Sequence, residues 1–339
     1  MALDLLRQVS RTFYLSLAVL PPPLRGPLGI AYLLARAADT IADTRLLDRA
    51  DRLRRLEALR IAIAKAGPDA GLSGLTRVTD LGTAPATAAE RQLLLRLPEC
   101  LHELDLLPPA DAARVRHVLD TITDGMVFDL TRFQGEDATT LTALGSLDDL
   151  DRYTYLVAGC VGAFWTEMHV AHRPRLAGWD LQAMTATGVR FGKALQMTNV
   201  LRDLARDLRI GRCYLPAREL ASLGLEPADL LDPATAPRVR PLYDRLLRLT
   251  LDHYAVAWRY TLAIPAGEVR MRLACTWPLL IGLGTLELLA RSPEILNADR
   301  RIKLSRAAVR GILARSALLV WSNRGLASSA ERWRRRIAV

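Results

Sequence analysis

Residues 192–216 read GKALQMTNVLRDLARDLRIGRCYLP, and this stretch decides the fold class. Apolar residues recur in it at every third or fourth position, which predicts an amphipathic helix. The same period reaches back to residue 181, so we expect one helix over 181–209. Polar side chains at spacings of three, four and four residues form a stripe along it: Gln196, Asn199, Asp203 and Asp207.

The rest of the chain follows the same helical period, and almost nothing in it is typical of a strand. Breaks rich in proline and glycine separate the periodic segments. Helices are predicted over about 28–43, 48–66, 90–104, 111–133, 148–170, 181–209, 239–263, 268–291 and 303–320. These patterns predict a single all-α domain over 1–339, with a surface excursion at 67–89 and a basic C-terminal tail at 325–339.

The composition bounds the partners and the compartment. The formal net charge of +10 suits a nucleic acid, an anionic membrane surface or a phosphorylated substrate. Few aromatic residues interleave with the arginines, so we expect no nucleic acid partner. The four cysteines lie far apart in apolar text, which favours free buried thiols in a reducing compartment and a cytoplasmic location.

Two segments raise the question of a membrane. The N-terminal MALDLLRQVS lacks the pattern of a secretory signal. Residues 273–290 are apolar enough for one span but contain Pro278 and Glu287, so we favour a buried helix that lines an apolar cavity. The basic end SSAERWRRRIAV predicts either peripheral contact with the inner face of a membrane or a solvated terminus.

A second acidic pair lies on the helix predicted at 28–43. Tyr32, Arg36, Asp39 and Asp43 follow at spacings of four, three and four residues. Two carboxylates on one helix face repel each other unless a cation lies between them, and Mg²⁺ bound to substrate phosphates is such a cation. The alternative is a solvated face on which Arg36 forms an ordinary ion pair.

The Asp203/Asp207 pair allows the same two interpretations. Arg202 and Arg206 lie on the adjoining face and could bind phosphate oxygens, whereas an exposed face would need no ligand. Asp120 and Asp124 make a third pair of this spacing, at the surface or at the rim of a site.

Between these helices lies DRYTYLVAGCVG, residues 151–162. Tyr153 and Tyr155 are two residues apart and therefore point to different sides. A buried tyrosine could transfer a proton or stabilise a cation, although a core tyrosine with a satisfied hydroxyl is the simpler interpretation.

Four motifs in this order resemble the squalene/phytoene synthase family: SRTFYLSLAVLPPPLR, YLLARAADTIAD, DRYTYLVAGCVG and QMTNVLRDLARDLRIGRCYLP. The resemblance runs from about residue 10 to residue 216 and continues more weakly to about 310. It implies an isoprenoid synthase helical bundle around a central apolar cavity, and a head-to-head prenyl transferase activity.

The resemblance also implies roles for single residues. Asp39, Asp43, Asp203 and Asp207 match the two aspartate-rich motifs that bind Mg²⁺, although Arg206 stands where the second motif usually has glutamate. Tyr153 matches the tyrosine assigned to cyclopropanation. The residues that match substrate diphosphate contacts are Ser10, Arg11, Phe13, Tyr32, Arg36, Gln196, Asn199, Arg202 and Arg212.

The implied reaction joins two farnesyl diphosphates through presqualene diphosphate, and the family then divides. Squalene synthases reduce the intermediate with NADPH, phytoene and dehydrosqualene synthases lose a proton, and a third group stops at the cyclopropyl stage. ACTWPLLIGLGTL (274–286) looks like a squalene synthase segment. Lys303 and Arg306 in the IKLSR that follows could then contact NADPH phosphates. We therefore expect a squalene synthase, with the other products and a non-catalytic isoprenoid-binding protein as alternatives.

Overall fold

The structure, a computed structural model, describes residues 2–9, 13–44, 47–65 and 88–337. These ranges are helical apart from short turns and one parallel ladder of two residues per strand, Thr142–Ala143 (β1) with Arg212–Cys213 (β2). The predicted all-α class is confirmed. Residues 67–87 of the expected surface excursion lie outside the described residues, and residues 88 and 89 already belong to a helix.

Contacts divide the chain into two compact units. The first comprises residues 1–130 and 164–174, and the second comprises 131–163 and 175–339. The helices that begin in the first unit are α1 (Ala2–Val9), α2 (Phe13–Val19), α3 (Pro22–Asp43), α4 (Arg49–Ala64), α5 (Ala88–Leu95), α6 (Leu97–Asp105) and α7 (Pro109–Arg132). One helix predicted over 90–104 is thus two, because the chain turns at Arg96 and Pro98 opens α6.

Helix α3 forms the centre of the first unit. Its apolar stripe, which includes Leu33, Leu34 and Ile41, has no solvent exposure. It packs against α1, α4, α5 and α6. The polar stripe of α3 lies on its other side and is half-buried or exposed. Burial of one face therefore fixes the direction in which the acidic pair points.

The second unit contains the remaining helices: α8 (Leu147–Thr154), the start of α9 (Cys160–His172), α10 (Leu181–Arg209), α11 (Ala217–Ala221), α12 (Ala236–Ala263), α13 (Val269–Arg291), α14 (Arg306–Leu319) and α15 (Asn323–Arg334). The most extensive packing joins α10 to α12. The Asp180 carboxylate caps α10 by accepting from the amide of Ala183 at 3.1 Å. The bounds predicted for α10, 181–209, are those of the structure.

The end of α10 depends on a glycine. Gly211 has φ of +83°, a left-handed conformation, and a Cβ there would lie 3.0 Å from the carbonyl oxygen of Asp137. The turn leads directly into β2, which pairs with β1 and so fixes the position of Arg212.

The helix predicted over 148–170 is interrupted. Tyr155–Gly159 forms a π-helical turn between α8 and α9. Close packing accompanies it: a Cβ on Gly162 would lie 1.8 Å from the carbonyl oxygen of Gly188, and one on Gly192 would lie 2.0 Å from that of Ala158. Backbone thus meets backbone between this segment and α10, which only glycine permits.

The C-terminal part of the second unit is packed helix. Helix α13 is long and apolar enough to span a membrane, but 72% of its most apolar window is buried inside the protein. The basic tail expected at 325–339 is helical as far as Arg334, and Leu326, Ser329 and Ala330 are buried against neighbouring helices. The first part of the expected tail is therefore an ordered helix with one buried face.

Candidate active site

The first acidic pair lies along α3 on one side with Tyr32 and Arg36. The Arg36 guanidinium forms ion pairs with two carboxylates, those of Asp39 and of Glu90 on α5. Glu90 is 54 positions from Arg36 in the sequence, and its side chain is 14% exposed. No motif marks Glu90, so the sequence offered no signal for this contact.

One carboxyl of the α3 pair, that of Asp39, has a raised pKa. Burial and, second, repulsion from the Asp43 carboxylate raise the pKa of Asp39 to about 7, although Arg36 opposes the shift. The Asp39 side chain remains 39% exposed, so a cation from solvent can reach it. A divalent ion at this pair would replace the proton that Asp39 holds below neutral pH.

The second acidic pair lies on α10, and an arginine forms an ion pair with its first aspartate. Arg202 Nε donates to Asp203 Oδ1 at 3.0 Å, and its Nη2 donates to the other carboxylate oxygen. This bidentate pair is about one third exposed on both sides, at 37% and 33%. In each acidic pair, therefore, an arginine neutralises the first aspartate.

Both pairs have the donor chemistry that Mg²⁺ requires. Each offers carboxylate oxygens four residues apart on an accessible helix face. No group of three or more His, Cys, Asp or Glu side chains suited to a metal occurs in the part of the chain that the structure describes. Two carboxylates suffice for Mg²⁺, which keeps waters and takes further oxygens from substrate phosphates. Asp39, Asp43, Asp203 and Asp207 are thus the residues that could hold it.

Tyr153 bonds to one amide of the α10 stripe, and that amide bonds to the other. Gln196 Nε2 donates to the Tyr153 hydroxyl at 3.3 Å, and Asn199 Nδ2 donates to Gln196 Oε1 at 3.2 Å. Tyr153 is 7% exposed and Tyr155 is 40% exposed, so the two tyrosines do point to different sides. The hydrogen bonds hold the Tyr153 hydroxyl in a defined orientation.

The Tyr153 ring belongs to an aromatic cluster with Tyr214 and Phe133. The ring stacks on Tyr214 with centroids 4.7 Å apart, and Tyr214 meets Phe133 edge to face at 5.0 Å. We did not predict this role for Tyr214, although it belongs to the GRCYLP segment already recognised. Its place two residues after Arg212, beside β2, was the available signal.

The remaining predicted site residues are dispersed. Ser10 and Arg11 lie outside the described residues, and Phe13 is the first residue of α2. Lys303 is exposed and lines a groove of about 330 Å³ with arginines that include Arg291 and Arg300. Arg306 opens α14 and is not among the residues that line the groove.

The third acidic pair is explained without a ligand. Arg60 on α4 reaches Asp120 at 2.6 Å and Asp124 at 3.0 Å, so one guanidinium bridges both carboxylates. This arrangement is an ordinary ion-paired surface. The four cysteines are free and buried, as expected, and burial raises the pKa of Cys100, Cys160 and Cys213 to about 11 or 12.

Known proteins share both the sequence and the fold. A family model described as squalene/phytoene synthase matches residues 6–308. A bifunctional lycopene cyclase/phytoene synthase from Arthroderma gypseum is 30% identical over 247 residues, which are 73% of this chain and 39% of that protein. Squalene synthase ERG9 from Saccharomyces cerevisiae is 25% identical over 303 residues, 88% of this chain and 63% of that one. The chain thus spans less than two thirds of the length of these relatives.

The fold is also similar to that of solved structures. TcSQS in complex with E5700 superposes with a TM-score of 0.78 at 20% identity, covering 99% of this chain and 90% of that one. A dehydrosqualene synthase in complex with ligand has a TM-score of 0.61 at 19% identity, covering 92% of this chain and 93% of that one. Since the family model spans 6–308, the chain belongs to the squalene/phytoene synthase family of prenyl transferases, which bind isoprenoid diphosphates.

Proposed function

We propose that this chain is a squalene synthase, which joins two farnesyl diphosphates head to head and reduces the presqualene diphosphate intermediate with NADPH. The observation that carries the proposal is the combination of two aspartate pairs, each with an arginine on its first aspartate, and a buried tyrosine that accepts a hydrogen bond from Gln196. Carboxylates and arginines suit diphosphate departure, and the tyrosine suits the proton transfer that closes a cyclopropane ring.

Each residue has a separate task in this proposal. Bound Mg²⁺ would neutralise the departing diphosphate. Arg36, Arg202 and Arg212 would bind phosphate oxygens as charge-assisted donors. The Tyr153 hydroxyl, oriented by Gln196, would assist proton loss from the carbon that closes the ring. The apolar cavity that the family resemblance implies would keep water from the allylic cation.

The NADPH step rests on the C-terminal segment. Lys303 lies in a basic groove, and Arg306 opens α14 three residues later, so both could meet a phosphorylated cofactor. A cytoplasmic protein in contact with the inner face of a membrane fits an apolar C30 product. The chain is 25% identical to a Saccharomyces cerevisiae squalene synthase over 88% of its length, and this similarity favours the same assignment.

Phytoene or dehydrosqualene synthesis is the second candidate. The relative with 30% identity is a bifunctional lycopene cyclase/phytoene synthase, and that identity favours a reaction without NADPH. The two candidates share the first half-reaction and differ only in how the cyclopropyl intermediate is consumed.

Incubation with Mg²⁺ and farnesyl diphosphate, with and without NADPH, separates the candidates by mass analysis of the hydrocarbon. Squalene that forms only with NADPH supports the proposal. Dehydrosqualene in both reactions supports the second candidate. So does a parallel reaction in which the C20 diphosphate yields phytoene while farnesyl diphosphate yields no product. Asp39→Ala and Asp203→Ala should abolish diphosphate release, whereas Asp124→Ala, in the pair bridged by Arg60, should not. Full turnover by either of the first two variants would contradict the metal assignment.

A further inference from the structure

The net charge of the chain is concentrated at one end. Residues 300–339 contain 11 of the 46 basic residues and one of the 36 acidic residues, Glu331. Residues 1–299 therefore contain 35 of each and have no formal net charge. From 300 to 330 there are seven basic residues and no acidic residue. A segment of this kind attracts anionic partners far more strongly than the rest of the molecule.

Helix α14 lies within this segment and is fixed on the protein by its inner face. Ile312, Ser316 and Val320 are almost completely buried. Trp277 on α13 donates its Nε1 hydrogen to Ser316 Oγ at 3.0 Å. This packing determines which side of α14 points outward.

The outer face of α14 has an apolar centre. Spacings of four, three and four residues place Ala307, Gly311, Ala314 and Leu318 in one exposed row. Leu318 is 82% exposed, and Trp321, in the turn before α15, is 63% exposed. A solvated helix normally has charged residues at the centre of its outer face, so this row departs from that pattern.

Arginines border the apolar row. Arg310, Arg315 and Arg324 are exposed, and none of them forms an ion pair with any residue within the described ranges. Other cations nearby do find partners, as Arg300 does with Glu294 at 2.7 Å and Arg335 with Glu331 at 3.1 Å. The border of the row thus keeps its full charge for an external partner.

We propose that the outer face of α14, together with Trp321 and Arg324, docks the protein on a membrane surface that contains anionic lipids. A helix with an apolar centre and cationic borders lies in the plane of such a surface, with its apolar side chains among the acyl chain ends and its arginines at lipid phosphates. Tryptophan is enriched at this depth. A nucleic acid would leave Leu318 without a partner, because base recognition requires stacking or hydrogen bonding.

The docking surface is separate from the residues proposed for catalysis. None of Arg310, Arg315, Leu318 or Trp321 belongs to the acidic pairs, the Tyr153 network or the proposed NADPH contacts. The inference assigns a surface to the membrane contact in the proposed function and rests on that part of it alone. Membrane binding and diphosphate release can be measured independently, so either can fail while the other stands.

Vesicle flotation with the full chain tests the proposal. We use neutral phosphatidylcholine vesicles and vesicles with about 30% phosphatidylglycerol, in about 50 mM and about 500 mM salt. The wild type should float only with the anionic vesicles, and only at low salt. Arg310→Ala/Arg315→Ala and Leu318→Ser/Trp321→Ser should each weaken vesicle partitioning by about tenfold or more.

Matched substitutions elsewhere control for charge and apolarity. Leu106→Ser removes another exposed leucine, and Arg248→Ala removes another exposed arginine, so both should float as the wild type does. An unchanged Tm and far-UV circular dichroism spectrum show that the surface variants fold. Flotation of the Leu318→Ser/Trp321→Ser variant at wild-type levels would overturn the proposal. Failure of the wild type to bind any vesicle would overturn it too. Binding of single-stranded DNA by the same surface, or a dimer that Leu318→Ser disrupts, would then identify the other occupant.

Discussion

Tyr153 and Tyr214 stack with their ring planes inclined by 26°, and this contact determines where the Tyr153 hydroxyl can point. Gln196 donates a hydrogen bond to the hydroxyl, and Tyr214 stacks on the ring. Tyr214 is thus a positioning residue for a proposed proton transfer.

Tyr214→Leu should lower the rate of presqualene diphosphate formation by about tenfold, because loss of the stacked ring frees Tyr153 to rotate; a stacked pair contributes about 0.5–1.5 kcal/mol. Tyr214→Phe preserves the ring and should retain most of the rate. Single-turnover kinetics give the rate constant, and the KM for farnesyl diphosphate should change little. Equal rates for the two variants would argue against a positioning role.

The raised pKa of Asp39 predicts a pH-dependent stability for the metal-free protein. The folded carboxyl holds its proton up to about pH 7, whereas an unfolded aspartate releases it near its ordinary value of 3.8. The folded state therefore binds more protons between these values, and its stability falls as the pH rises through them. In EDTA, the Tm should decrease from about pH 5 to about pH 8, and Mg²⁺ should restore it.

Substitution of its neighbour tests the cause of this pH dependence. Asp43→Asn removes the repulsion but not the burial, so the fall in Tm should become smaller without vanishing. Asp124→Asn, in the pair that Arg60 bridges, should leave the pH dependence as it is. An unchanged fall in Asp43→Asn would mean that repulsion from Asp43 contributes little beside the burial of Asp39.

Arg206 is the position at which the second acidic motif departs from the family form. Arg206→Glu adds a carboxylate and removes a cation between Asp203 and Asp207, so the Mg²⁺ concentration for half-maximal diphosphate release should fall several-fold, and Arg206→Gln should be intermediate. Arg248→Glu makes the same charge change on α12 and should have no such effect. A higher Mg²⁺ concentration for half-maximal release in Arg206→Glu would instead indicate that Arg206 binds phosphate.

The glycine contact between α9 and α10 predicts a local sensitivity to added volume. Gly162→Ala would place a methyl group 1.8 Å from a carbonyl oxygen of α10, so the free energy of unfolding should fall by about 1–3 kcal/mol or more. Gly26→Ala, on α3 with no atom within 4 Å, should instead raise it by about 0.5–1 kcal/mol. Urea denaturation of both variants measures the difference.

Sequence periodicity predicted the helices wherever one face is apolar over many turns. Helix α10 has its predicted bounds because Asp180 caps its start and Gly211 terminates it. The π-helical turn at Tyr155–Gly159 could not be predicted, since apolar residues continue through it without a break. Local patterns also cannot report the Arg36–Glu90 contact, which depends on how α5 packs against α3.

The candidate site was predictable to the extent that its residues lie in one helical register. Gln196 and Asn199 were assigned to one face from their spacing, and they do share a hydrogen bond. Tyr214 was not assigned, because its partner Tyr153 is distant in the chain and the contact requires the β1–β2 pairing to bring the segment back. Registers within a helix are encoded locally, whereas contacts between elements depend on the whole packing.

The meeting of Gly162 with α10 also limits how product specificity can be engineered. Two backbones in contact have no side chain left to shorten, so any substitution there can only push the helices apart. The hydrogen bond from Gln196 to Tyr153, which joins the same two segments, is already 3.3 Å long and would break with little further separation. Variant libraries aimed at chain length should therefore leave these glycines unchanged.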